Sequence, residues 1–167
     1  DSLPPLVVFG ATIEISSPSG CRSVSLADFI LGPGMTVLQP SEVVTAVRIR
    51  RPSSPRQSVY HKVGKRRAMA IAVASLAALL EEDKTGGRRI RLAWGSVGPT
   101  VITAPAIELL LEERGFDSTS LCEAGQLLSG IVRPIDDVRA SAEYRRRLAA
   151  NLLLRLADDF GVAQQEG

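Results

Sequence analysis

A chain of 167 residues, 45% hydrophobic and 23% charged, has the composition of an ordinary soluble globular domain and is long enough for one good core or two small layers. Its 20 basic and 18 acidic residues leave a formal charge of only +2, so nucleic-acid binding would have to rest on local clustering of positive charge and is not expected. The longest apolar run, Ala68 to Leu80, falls short of the ~20 residues a membrane-spanning helix needs, and Cys21 and Cys122 show no CxxC or Cys/His spacing, which excludes a zinc knuckle or an iron–sulfur site built from this chain alone.

The first segment, DSLPPLVVFG, has no initiator methionine, basic stretch or cleavage pattern, so it is expected to continue a longer chain and not to be a signal peptide. Both cysteines are expected to be reduced, in keeping with a cytoplasmic location. From Thr12 to Ser16 polar and apolar residues alternate, SSPSG interrupts, and alternation resumes from Cys21 to Leu26, which predicts a β-hairpin. LADFILGPGMTVLQP is too broken by glycine and proline for a long helix and predicts one short helical turn, then a loop. In EVVTAVRIRRP, Val43, Thr45, Val47 and Ile49 share one face while Glu42, Val44, Ala46, Arg48 and Arg50 share the other, as in a half-buried strand ended by Pro52.

SSPRQ reads as a loop and SVYHKVG as β-prone. Ala68–Glu82 is ambiguous, because alanine and leucine favour a helix. The return segment RRIRLAWGSV alternates, however, with Ile90, Leu92 and Trp94 on one face, and EEDKTGGRR reads as the turn between two long antiparallel strands. Beyond GSVGPT, Thr103 as a cap, Pro105 in the first turn and Ile107, Leu110 and Leu111 at helical spacing predict a helix that stops at Gly115. Ser120 with Glu123 forms an S-x-x-E capping box for a second helix running to about Ile131. After RPIDD, Tyr144, Leu148, Leu152 and Leu156 line one side of a third, long helix. Strands first and helices last predict an α+β fold in which an antiparallel β-sheet packs against a C-terminal three-helix layer.

Residues arranged for catalysis are hard to find. His61, the single histidine, has no cysteine, serine or carboxylate at recognisable spacing and reads as a strand-end side chain. The acid pairs Glu81–Glu82, Asp136–Asp137 and Asp158–Asp159 fall in turns or at helix ends, where solvated surface explains them. GPGMT lacks the lysine of a P-loop and reads as a turn. The run YRRR, Tyr144 to Arg147, fits a charged outer face or a surface for a partner subunit. Lys62, Lys65, Arg66 and Arg67 are either a solvated loop or a strand end that steadies a diphosphate or an electron-rich ring; spacing alone leaves both open.

Five segments, in this order along the chain, decide between them: DSLPPL, GCRSVSLADFILGPGMTVLQPSEVV, YHKVGKRRAMAIA, WGSVGPT and RPIDDVRASAEYRRRLAANLLLR. Together they resemble the flavin-binding medium subunit of the molybdenum hydroxylases, the group of xanthine dehydrogenase, carbon monoxide dehydrogenase and nicotinate dehydrogenase. The resemblance implies that residues 1–52 are the tail of an FAD-binding domain and residues 53–167 a C-terminal α+β domain. The two glycine-rich flavin loops of the family are not in this sequence, so these residues alone are expected to hold FAD poorly.

Residue by residue, the resemblance puts Asp1 at an acidic FAD contact and Val44 at the apolar position that lies against the flavin. It puts Lys62 at a flavin-proximal lysine and Arg66 at the arginine four residues later. Ala70 stands where many members carry an aspartate. The implied role is electron relay: a molybdopterin centre in a large subunit hydroxylates the substrate, [2Fe–2S] clusters in a small subunit pass electrons on, and FAD in this subunit delivers them to an acceptor. A non-enzymatic α+β interaction module that has lost the cofactor is the alternative.

Overall fold

The computed structural model describes residues 1–50, 56–65, 71–82 and 86–161. Its organising element is the strand pair β7 (Ala72–Glu82) and β8 (Arg88–Gly95), joined antiparallel from Ser75↔Gly95 to Glu82↔Arg88. The edge strand β6 (Arg56–Gly64) pairs with β7, and the two-residue β9 (Ile102–Thr103) pairs with β8, giving the order β6-β7-β8-β9. Side chains alternate across this sheet with a period of two. Leu76, Ala78 and Leu80 with Ile90, Leu92 and Trp94 therefore share one face, and Ala77, Leu79 and Ala93 share the other.

The first face is covered by the helices α3 (Pro105–Arg114), α4 (Ser118–Ile131), α5 (Ala142–Leu154) and α6 (Leu156–Phe160), through Ile107, Leu111, Leu121, Leu128, Leu152 and Leu153. Each fully buried leucine or isoleucine contributes about 1.5–3 kcal/mol. The indole N–H of Trp94 reaches through this core to donate to the Ala149 carbonyl at 3.3 Å. The second face is covered by α1 (Leu3–Val8), whose Val8 packs on Ala77, Leu79 and Ala93. Burial on both sides explains why Ala72–Leu80 shows no hydrophobic alternation.

The remaining N-terminal elements are β1 (Thr12–Ser17), β2 (Gly20–Ser25), the single turn α2 (Leu26–Phe29), the short hairpin β3 (Ile30–Gly32) and β4 (Met35–Thr36), and β5 (Val43–Arg48). They form an antiparallel sheet β2-β1-β5 with a small core of Ala11, Ile13, Ile15 and Leu26. The expected α+β architecture, hairpin and strand order are all present.

Several local expectations are corrected. A bulge opposite Glu14/Ile15 leaves Thr45 without a ladder partner, so β5 does not keep one buried face; Val43, Val44, Val47 and Ile49 are all exposed. The cap of α4 is Asp117, whose carboxylate accepts from Thr119 N at 2.8 Å and Ser120 N at 3.1 Å. Ser120 is already inside the helix and donates its hydroxyl to Asp117, while Glu123 pairs with Arg114. Ala104 stands at the start of α3 without a side-chain cap, Thr103 belonging to β9. Pro105 does open that helix, and Gly115, at φ 81, ends it. The third helix breaks at Arg155 into α5 and α6, and its buried stripe runs through Arg145, Ala149, Leu152, Leu153 and Leu156, leaving Tyr144 exposed. Pro52, Arg66, Arg67 and Ala70 lie outside the described residues.

β9 is too short to cover the edge of β8. Two carboxylates of α3 cover the rest, Glu108 accepting from Leu92 N at 2.7 Å and Glu112 from Ile90 N at 3.0 Å. Four residues of helix rise about 6 Å and two residues of strand about 6.8 Å, so one helix face can serve alternate strand amides. Glu108→Ala is expected to lower the unfolding free energy by about 1–3 kcal/mol, the cost of a buried N–H left without an acceptor. Glu108→Gln, which still accepts, should lose little in the same urea titration. Burial raises the Glu108 carboxyl above its ordinary value, against the opposing Leu92 hydrogen bond. The native state thus holds that proton more tightly than the unfolded chain, and the advantage is lost as pH rises through the raised value. Glu108→Gln removes this loss, so its stability relative to the wild type should increase as pH climbs out of the ordinary carboxylate range.

Candidate functional site

The end of the β7–β8 ladder, α1 and the β3–β4 hairpin enclose a cleft of about 490 Å³. Leu3 and Pro4 of α1, Phe29, Ile30 and Met35 form apolar walls, and Val101 closes one end. Ser75, Gly95 and Ser96 make the floor. Gly95 has to be glycine, since a Cβ there would lie 2.6 Å from Ser75 Oγ and 2.9 Å from Pro4 Cγ. Its absence lets α1 sit directly on the sheet end. GPGMT is the turn the sequence predicts, with Gly34 at φ 69, and contributes a wall of the same cleft.

Among the described lining residues, Asp1 is the one that ionises. Its Oδ2 accepts from Lys62 Nζ at 2.8 Å and its Oδ1 from Ala72 N at 3.4 Å. The parity of β6 sends Lys62 this way: Val59, His61 and Val63 turn toward the helical layer, so Tyr60 and Lys62 turn toward α1. Both groups of this pair are about one-third exposed, with side-chain accessibilities of 38% and 35%, so it contributes little to stability and mainly fixes where the ammonium sits.

Of the residues predicted from the sequence, Asp1 and Lys62 are therefore brought together at the cleft. Val44 is on β5 opposite Ile15, 43% exposed and not part of the cleft lining. Arg66 lies outside the described residues. Lys65, which the resemblance does not assign to the flavin, donates to the Val138 carbonyl at 3.0 Å and so tethers the segment joining α4 to α5.

Three readings of the sequence are overturned. His61 does have a partner: its Nε2 lies 2.6 Å from Asp159 Oδ2 on α6, a contact across 98 positions that no sequence spacing could signal. Arg145, expected on an outer or docking face with its YRRR neighbours, is only 2% exposed. Its Nη1 donates to Val73 O at 2.7 Å and Ser96 O at 3.1 Å, and its Nη2 to Asp137 Oδ1 at 2.6 Å. Asp137, read as a solvated turn acid, is the hub of this cluster. Hydrogen bonds from Arg139 above all, and then from Arg145, hold its carboxyl well below the usual carboxylate range. A signal was present, since Arg145 falls on the apolar stripe with Ala149, Leu152 and Leu156 where a charge is out of place.

Among the described residues, no three His, Cys, Asp or Glu side chains are grouped to hold a metal, and no helix is long and apolar enough to cross a membrane. His61–Asp159 faces the helical layer and not the cleft. A cleft with largely apolar walls, and with the Asp1 carboxylate and its Lys62 partner at one side, suits an apolar group with a polar edge.

Residues 1–52 match the family described as the FAD binding domain in molybdopterin dehydrogenase, and residues 59–160 that described as the CO dehydrogenase flavoprotein C-terminal domain. The carbon monoxide dehydrogenase medium chain of Afipia carboxidovorans is 30% identical over 161 residues, covering 95% of this chain and 55% of that one. A putative xanthine dehydrogenase FAD-binding subunit of Escherichia coli K12 is 28% identical, covering 98% and 56%. Among solved structures, a Cu,Mo-CO dehydrogenase in its cyanide-inactivated form superposes with a TM-score of 0.85 at 29% identity, covering 95% of this chain and 55% of that one. Quinoline 2-oxidoreductase from Pseudomonas putida 86 gives 0.81 at 27% identity, covering 93% and 53%. The chain thus spans about half the length of the curated relatives it matches.

Gly95→Ala is expected to push α1 off the sheet end at a cost of about 1–3 kcal/mol, as overpacking does. Adding Ser75→Ala removes the nearer of the two clashes and should recover part of that loss in thermal denaturation.

Proposed function

The chain belongs to the CO dehydrogenase flavoprotein family, and on that premise we propose that it is part of the FAD-carrying, electron-transferring medium subunit of a molybdenum hydroxylase. The observation that carries the proposal is the pairing of Asp1 with Lys62, two residues 61 positions apart that the family resemblance assigns to the flavin and that meet at an apolar cleft. The alternative of a cofactor-free interaction module is not favoured by the FAD-binding match over residues 1–52.

The cleft fits a part of FAD. Its volume lies within the roughly 300–1,000 Å³ of small-molecule pockets, and its apolar walls suit a planar ring system. A diphosphate needs basic side chains or a nest of backbone N–H groups, and none of the described lining residues is basic. We assign this chain the contacts to the flavin's less charged portions, and the diphosphate to other parts of the longer protein.

When bound, FAD supplies a two-electron store that connects one-electron iron–sulfur carriers to a final acceptor. The chain's own residues set the conditions for that store. Lys62 places a fixed positive charge that favours an electron-rich, anionic ligand. Asp1 holds the ammonium in place, and Val44, which lies on β5 outside the cleft lining, is assigned its apolar contact to the flavin by resemblance. Arg66 is assigned a second, weaker positive contribution by resemblance. The partners in this reading are a large molybdopterin subunit and a small subunit with [2Fe–2S] clusters, in the cytoplasm. In this reading the large molybdopterin subunit sets the substrate, which fits relatives named for carbon monoxide, xanthine and nicotinate dehydrogenases.

In the full-length subunit, Lys62→Ala should weaken FAD retention by about tenfold, the factor for one lost charge-assisted contact of about 1.4 kcal/mol, and shift the flavin midpoint to a more negative potential. Flavin release on gel filtration and a spectroelectrochemical titration measure both. A variant that keeps its flavin at the wild-type potential removes Lys62 from the site.

A further inference from the structure

We infer that Arg145 is a positioning residue for the cleft: from the helical layer, its guanidinium holds the Ser96 corner that turns the end of β8 into the cleft wall. The β7–β8 ladder ends at Ser75↔Gly95. Were it to continue, Val73 would face Val97. The chain instead turns at Ser96, the one non-glycine residue at positive φ among those described, at 64°. A left-handed conformation is unfavourable for any residue with a Cβ, so it persists only where its surroundings over-determine it.

Arg145 supplies that determination. A single nitrogen, Nη1, donates to Val73 O on one strand and to Ser96 O at the corner, bridging the two strands just beyond the point where their own hydrogen bonds stop. Its rotation is fixed in turn by Asp137, through Nη2 at 2.6 Å, and Asp137 is gripped by Arg139 Nε at 2.9 Å and Nη2 at 2.6 Å. The next residue, Val97, is also tied to this segment, its carbonyl accepting from Arg133 N at 3.0 Å. Immediately before the corner is Gly95 and after it come Gly98 to Val101, and all of these line the cleft, whereas Arg145 does not. A buried guanidinium is a weak source of net stability, because an apolar side chain of similar volume often serves as well. Holding an unfavourable corner in one geometry requires a fixed, multidentate donor, which an apolar side chain cannot be.

The inference rests on the flavin reading for its ligand but not for its geometry, and the test separates the two. In the full-length subunit, Arg145→Met is expected to weaken FAD binding about tenfold, equivalent to about 1.4 kcal/mol, and to speed amide hydrogen exchange across Gly95–Val101. Adding Ser96→Gly should restore most of the affinity, since glycine adopts positive φ without strain, while leaving the lost thermal stability of the α5 docking unrepaired. A lower melting temperature with unchanged FAD affinity and unchanged exchange overturns the inference, as does a failure of Ser96→Gly to rescue. If Arg145→Met does not fold, Arg145→Lys keeps the charge but loses the planar fork that reaches Val73 O, Ser96 O and Asp137 together; it should weaken FAD and speed exchange at Gly95–Val101, and wild-type affinity with wild-type exchange overturns the inference. If the wild-type subunit binds no FAD, the flavin reading falls, and exchange at Gly95–Val101 in Arg145→Met still decides whether Arg145 positions the corner.

Discussion

One buried guanidinium ties α5, the linker before it and the ends of β7 and β8 together. Arg145 enters from α5, crosses the face of the four-stranded sheet and satisfies the carbonyls of Val73 and Ser96, while Asp137 on the preceding linker balances its charge. Removing Asp137 would leave the buried guanidinium uncompensated, so helix, linker and strand ends are constrained together. The cleft is built on that constraint, because its floor is the corner the guanidinium holds.

A second constraint divides the chemistry between two sides of the sheet. The period-two alternation of β6 sends Lys62 to the side of α1 and Asp1, and its neighbour His61 to the side of α6 and Asp159. A register slip of one residue would exchange them. The pairings Lys62↔Ser75 and His61↔Leu76 along β7 belong to one register that holds over eight residues of β6, Arg56 to Val63. The strand ladder thus sets the side of the sheet on which the ammonium stands, and the ion pair with Asp1 fixes where it sits there.

Much of this is legible in the sequence. The clean alternation of Ile90, Leu92 and Trp94 identified β8, the proline and glycine at either end of α3 bounded it, and the order of strands then helices implied the layers. What escaped has physical causes. The capping box at Ser120 misled because Asp117, three residues earlier, already caps the amides of Thr119 and Ser120 and starts the helix one turn sooner. β5 misled because a bulge breaks its alternation, a feature set by the partner strand and not by local pattern. Covering of the second sheet face by α1 depends on a contact between chain segments far apart in sequence. At the site, Asp1 and Lys62 emerged from family resemblance while spacing gave no hint of their pairing. Arg145 and Asp137 were missed because charged residues are read as surface unless a stripe of buried neighbours is followed through them.

The central claim is that the Asp1–Lys62 pair and the cleft beside it belong to a flavin site of a molybdenum-hydroxylase medium subunit. A crystal structure of the full-length, flavin-loaded subunit tests it most directly. The account predicts FAD in contact with both Asp1 and Lys62; a flavin seated where neither residue touches it, or a subunit purified with no flavin at all, would contradict it.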